Sequence, residues 1–152
     1  MASYDFVDFD PQPALTRRAT CSHKELGPVI TRLFSEAMAA NSETELVAPP
    51  MVTYLDWRPA DCDIEIGLPV DASTEPGAGS GMTIYPACTA VHVTHTGPYE
   101  GLMQAWADFW NEVLADNVEV GGSPWDSYAV GPDQEPNPAN WVTDLYIPMS
   151  KS

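Results

Sequence analysis

Ala48-Pro49-Pro50-Met51-Val52-Thr53-Tyr54 returns, roughly 75 residues later, as Gly122-Ser123-Pro124-Trp125-Asp126-Ser127-Tyr128. Proline, a hydroxyl residue and tyrosine recur in matching places. An amphipathic stretch precedes each copy, and an apolar run ending in Leu68-Pro69-Val70 or Ile147-Pro148-Met149 follows each. Two copies of one supersecondary unit, each too small to bury its own core, are expected to fold together and to line a seam with equivalent residues. Such a seam is a natural place for a ligand.

Outward from that pair, the elements order themselves. Tyr4 to Phe9 alternates apolar with acidic residues at the period of a half-buried strand, and Leu15 to Thr20 is a weaker strand. Glu25 to Ala40 sets Leu26, Val29, Ile30, Leu33, Phe34 and Ala37 on one helical stripe, with Ser22 as N-cap and Glu25 completing a capping box. Strands over Met51–Trp57 and Cys62–Val70 follow. Residues 71–81, rich in Gly and Ser, form a linker, and without a following Lys-Ser/Thr they are no phosphate loop. The second half repeats the order. Thr83–Thr94 supplies a strand and Tyr99–Leu114 a helix with Leu102, Trp106, Phe109, Trp110 and Val113 inside. Trp125–Val130 and Trp141–Met149 are its last strands, joined by a proline-rich loop from Gly131 to Asn140. The expected fold class is α+β: duplicated strand–helix–strand–strand units related by a pseudo-two-fold, an antiparallel sheet, two helices on one face and a ligand cleft between the halves. One domain over 1–152 is expected, with repeat 1 at about 1–70 and repeat 2 at about 82–152.

Composition excludes several function classes. Hydrophobic residues at 44% and aromatics at 10% of 152 residues support a real core. A net charge of −16 repels phosphate backbones, so no direct nucleic-acid contact is expected. No apolar run approaches a membrane span, and Met1-Ala2-Ser3-Tyr4-Asp5 is acidic and lacks the apolar run of a secretory signal, so a cytoplasmic protein without membrane contact is expected. Cys21, Cys62 and Cys88 are odd in number and widely spaced, which argues against a disulfide framework. Cys88, His92 and His95 suggest a metal, but residues three apart on a strand point to opposite faces, so no metal and no cofactor is expected.

Strand parity nominates a site. In Ile64-Glu65-Ile66-Gly67-Leu68 the apolar residues face the helices and Glu65 faces away; in Thr143-Asp144-Leu145-Tyr146-Ile147 the same reasoning turns Asp144 and Tyr146 outward. Asp126 and Tyr128 share one face, and Tyr54 matches Tyr128 by the repeat. All are expected on the face away from the helices, with Trp57 as a further aromatic wall. A carboxylate among rings is costly to desolvate, which a bound cation relieves, and ring faces add cation–π attraction.

The run His92-Val93-Thr94-His95-Thr96-Gly97-Pro98-Tyr99-Glu100-Gly101-Leu102 resembles the strand–Gly-Pro-Tyr–helix junction of the GyrI-like small-molecule-binding family. Pro124-Trp125-Asp126-Ser127-Tyr128 and Trp141-Val142-Thr143-Asp144-Leu145-Tyr146-Ile147-Pro148 resemble its two C-terminal strand motifs. That family includes effector-binding domains of AraC-type and MerR-type multidrug regulators. The resemblance implies an acidic residue that meets lipophilic cations, with Asp126 and Asp144 standing where the family commonly has Glu. The implied protein is a monomeric sensor or sequestering domain without its own DNA-binding module. Its partner is an amphipathic, cationic small molecule, met by Asp126 and Asp144, with Glu65 as first-half counterpart, between walls of Tyr54, Trp57, Tyr128 and Tyr146. Some relatives resemble hydrolases of cyclopropane-containing toxins, for which Asp126, Asp144 and Tyr128 are the catalytic candidates. Inhibition of gyrase is the third reading; it implies a protein partner that no segment localises.

Overall fold

The computed structural model describes residues 3–132 and 134–150. Met1, Ala2, Lys151 and Ser152 fall outside the described residues, as does Asp133 of the loop from Gly131 to Asn140. The chain is α+β, and the described residues form eight strands, all antiparallel among the pairings described, and two α-helices. They divide into two compact units, Asp10–Ala87 and Met1–Phe9 with Cys88–Ser152.

In the first unit, β2 (Gln12–Ser22), β3 (Met51–Trp57), β4 (Asp61–Pro69) and β5 (Gly81–Tyr85) lie in the order β3-β4-β2-β5. Helix α1 (Leu26–Ala40) follows a 3₁₀ turn at His23–Glu25. Ser22 caps that turn by accepting the Glu25 N–H, so the cap expected of the helix acts one turn earlier. Leu33 and Ala37 are buried on α1, as are Leu15, Val52, Ile64, Ile66 and Leu68 on the apolar sheet face. Each large aliphatic side chain so buried contributes about 1.5–3 kcal/mol.

In the second unit, β1 (Asp5–Phe9), β6 (Cys88–Thr96), β7 (Trp125–Val130) and β8 (Val142–Pro148) lie in the order β1-β6-β8-β7. Helix α2 (Leu102–Ala115) follows a 3₁₀ turn at Tyr99–Gly101. Its Phe109 and Val113 close a core with Val91, Leu145 and Ile147, against which Leu102, Trp106 and Trp110 pack. Where one strand was expected over Thr83–Thr94, two form, and they pair in different units.

The edge strands depart from the boundaries at 1–70 and 82–152. β1 precedes β2 yet pairs with β6; β5 precedes β6 yet pairs with β2. Alternation within five residues announces a strand but carries nothing about its partner. The inner ladders agree position by position. Met51 faces Gly67 as Trp125 faces Tyr146, Thr53 faces Glu65 as Ser127 faces Asp144, and both register shifts follow the shared tyrosine, Tyr54 or Tyr128.

Candidate functional site

Directly opposed residues in an antiparallel ladder share a face. Asp126 lies opposite Leu145 and Tyr128 opposite Thr143, on the face that carries the Leu145–Ile147 core and α2. Asp126 is fully buried, and the Trp106 indole N–H, projected from α2, donates to its Oδ2 at 3.2 Å. Along the same face, Tyr128 meets Tyr99 edge-on with ring centroids 5.6 Å apart, and Tyr99 lies 4.7 Å from Trp141. The Gly-Pro-Tyr junction sets Tyr99 there. Gly97 turns the chain at a φ of 129°, a conformation only glycine adopts readily, and its N–H donates to the Trp141 carbonyl at 2.8 Å. A buried carboxylate beside indole and phenol rings is therefore built from β7, β8 and α2.

The opposite face of this unit carries Asp144 and Tyr146. Asp144 Oδ1 accepts from Thr94 Oγ1 and meets His92 Nε2, both at 2.8 Å, while His92 Nδ1 meets Asp5 Oδ1 at 2.7 Å. A neutral imidazole has one N–H, so both contacts are hydrogen bonds together only when His92 is protonated. Burial works against that charge, but the hydrogen bonds to Asp144 and Asp5 outweigh it and hold the His92 pKa above its ordinary value. The His92 ring stacks on Tyr146, and Tyr146 stacks on Trp125, with Phe9 edge-on to both. Burial, then the negative field of Asp144, pushes the Tyr146 phenol up to about 12.

In the first unit, Glu65 is on the face away from the apolar core and is buried. Arg18 Nε donates to its Oε2 and the Tyr85 hydroxyl to its Oε1, each at 2.6 Å. Its charge already has a cation of the chain's own. Burial first, then the hydrogen bond to Glu65, raises the Tyr85 pKa well above that of an ordinary phenol. Tyr54 lies opposite Ile64 and Trp57 opposite Cys62, so both are on the apolar face. Trp57, half exposed, stacks on His23 at 4.1 Å.

These placements correct the parity reading. Glu65, Asp144 and Tyr146 face away from the apolar cores as expected, but Tyr54, Asp126 and Tyr128 lie on the other face. Period 2 fixes which residues share a face but not which face meets a helix. Trp125 stacks outside on Tyr146 and leaves Asp126 inside. Asp126, Asp144 and Tyr128 thus do not converge on one face, which divides the catalytic set considered for a hydrolase. Three residues that sequence reasoning leaves outside the site stand here: Trp106 donates to Asp126, Tyr99 is the ring partner of Tyr128, and Trp141 is the ring partner of Tyr99. Trp106 reads as core because it lies on the inner helical stripe, and only its N–H distinguishes it. His92 and His95 lie on opposite faces, opposite Tyr146 and Thr143, and no cluster of three metal-ligating side chains occurs among the described residues. No helix among them is long and apolar enough to cross a membrane.

Residues 2–150 match the GyrI-like small molecule binding domain, and the chain belongs to that family. The C-terminal domain of EcmrR superposes with a TM-score of 0.82 at 23% identity, over 98% of both chains. SAV2435, solved bound to tetraphenylphosphonium, gives 0.78 at 10% identity over 98% of this chain and 94% of that one. A hydrolase of Listeria innocua gives 0.63 at 12% identity over 97% and 92%. No curated protein matches the sequence.

Proposed function

We propose that the protein binds a lipophilic, cationic small molecule at the inner face of its second unit, as a sensor or sequestering domain. The observation that carries this reading is Asp126: a fully buried carboxylate held by a neutral indole N–H, with aromatic rings along the same face. Burial penalises the ionised form, and a flat cation restores that energy while its charge meets ring faces, each worth about 0.5–2 kcal/mol. A neutral ligand of the same shape leaves the carboxylate penalty in place. SAV2435 supports the choice of probe, because it was solved with a lipophilic cation. Tyr128, Tyr99 and Trp141 form the aromatic wall. Asp144 and Glu65 are tied into hydrogen bonds, and Tyr146 into ring stacks, on the other faces, and all three act in the framework; Tyr54 and Trp57 are aromatic contacts of the first unit.

Titration with tetraphenylphosphonium beside neutral triphenylphosphine oxide, followed by intrinsic tryptophan fluorescence, tests the reading. The cation should bind selectively, and Asp126→Asn should weaken it by about 1–3 kcal/mol, roughly 5- to 150-fold. Equal affinity of wild type and mutant for the cation would remove Asp126 from the site. A hydrolase of cyclopropane-containing toxins is the second reading, favoured by Asp126 and Tyr128 sharing a face, where a carboxylate can position water and a phenol can polarise the reacting group. Turnover of such a compound, seen by mass, together with indifference to the cation, would select it.

A further inference from the structure

Two ladder positions differ in kind between the units. Counted from Pro69 and Pro148, Val52 and Ile64 of the first unit stand where the second has Asp126 and Thr143. Both apolar residues are fully buried, so apolar side chains satisfy these positions in a sheet that packs well. The second unit instead buries a carboxylate and a hydroxyl there, both at 0% exposure. Thr143 lies between Tyr128 on β7 and His95 on β6, and its Oγ1 has no hydrogen-bond partner among the described residues. A hydroxyl buried in this way destabilises the fold, which a well-packed Val or Ile does not. Thr143 is the diagonal neighbour of Asp126 across the β7–β8 ladder, a separation of about 7–8 Å.

We propose that Thr143 is a specificity-determining residue of the ligand site. Its hydroxyl pairs with a hydrogen-bonding group that the ligand carries one aromatic ring's length from its positive centre. This rests on Asp126 being the cation-recognising group and adds a second point of recognition beside it. The preferred ligand is then a hydroxyl-bearing or amine-bearing aromatic cation, and a purely hydrocarbon cation satisfies the charge alone. Because both groups are buried without ligand, binding displaces the rings beside them, and the hydroxyl gains its first partner in the complex.

Tetraphenylphosphonium and (4-hydroxyphenyl)triphenylphosphonium differ by one hydroxyl a ring away from the charge. Wild type should bind the hydroxylated probe about fivefold tighter, the scale of one net hydrogen bond. Thr143→Val should abolish that preference, keep tetraphenylphosphonium affinity within about twofold and melt no lower than wild type. Thr143→Ser, which keeps the hydroxyl, should keep the preference. Equal affinity of wild type for the two probes, or a preference that survives in Thr143→Val, overturns the proposal. So does a Thr143→Val protein that melts lower and loses both probes alike, because the hydroxyl then serves the framework. Failure of wild type to bind either probe is a different result and overturns the cation reading beneath it.

Discussion

The Tyr85 hydroxyl donates to Glu65 across the face of β4, and the ring can lie there because residue 67 is glycine. A Cβ at that position would stand 3.3 Å from the Tyr85 hydroxyl and 3.1 Å from Met51. In the second unit the matching position is Tyr146, whose ring stacks on Trp125, and Phe9 takes the place of Tyr85. One architectural position thus holds a polar contact in one unit and an aromatic stack in the other. Tyr85→Phe leaves a buried carboxylate oxygen without that donor and should lower stability by about 1–3 kcal/mol, read as a fall in the thermal midpoint. An unchanged midpoint would mean that Arg18 alone satisfies Glu65. Residue identity made both acids visible in the sequence. It did not reveal that Glu65 is matched to Arg18, 47 residues away, while Asp126 is held by a tryptophan.

His92 joins three strands: its own β6, β1 through Asp5 and β8 through Asp144. The groups facing it are Asp5 from β1, Asp144 and Tyr146 from β8, and Thr94 from β6. Its pKa is raised above the ordinary 6.5 on folding, so protonation favours the folded ring. The stabilisation is fully present below about pH 6.5 and is lost as pH rises through the raised folded value. The stability difference between wild type and His92→Gln should therefore be largest in mildly acidic buffer and shrink toward alkaline pH. Denaturant melts across pH check this, and a difference that grows with pH would contradict the clamp. Elements themselves were largely legible. Met51–Trp57 and Trp125–Val130 form as read, because each is a period-2 run bounded by turn residues. Partners were not legible for β1 and β5, since short edge strands present similar backbone edges to any neighbour.

Across the whole chain, 22 acidic side chains stand against 6 basic ones, for a net charge of −16. Much of the positive charge is locally committed. Arg58 alone gathers Asp56, Asp61 and Asp63, and its guanidinium holds the Asp63 carboxyl down at about 2. The remaining acids repel one another, and salt screens that repulsion over a length that falls from about 10 Å at 0.1 M to about 3 Å at 1 M. The thermal midpoint should rise as sodium chloride is added from low concentration, measured by calorimetry. A fall would mean that local pairs such as Arg18–Glu65 outweigh the general repulsion. By itself the sequence determined the helices, most of the strands, the acidity and the family, because periodicity, turn chemistry and motif order are local or composition-wide properties. The face on which Asp126 lies, the partners of the edge strands and the orphan hydroxyl of Thr143 were decided by tertiary structure alone. Each of those depends on which residue stands across the ladder, and parity along one strand is the same whichever way the sheet is turned.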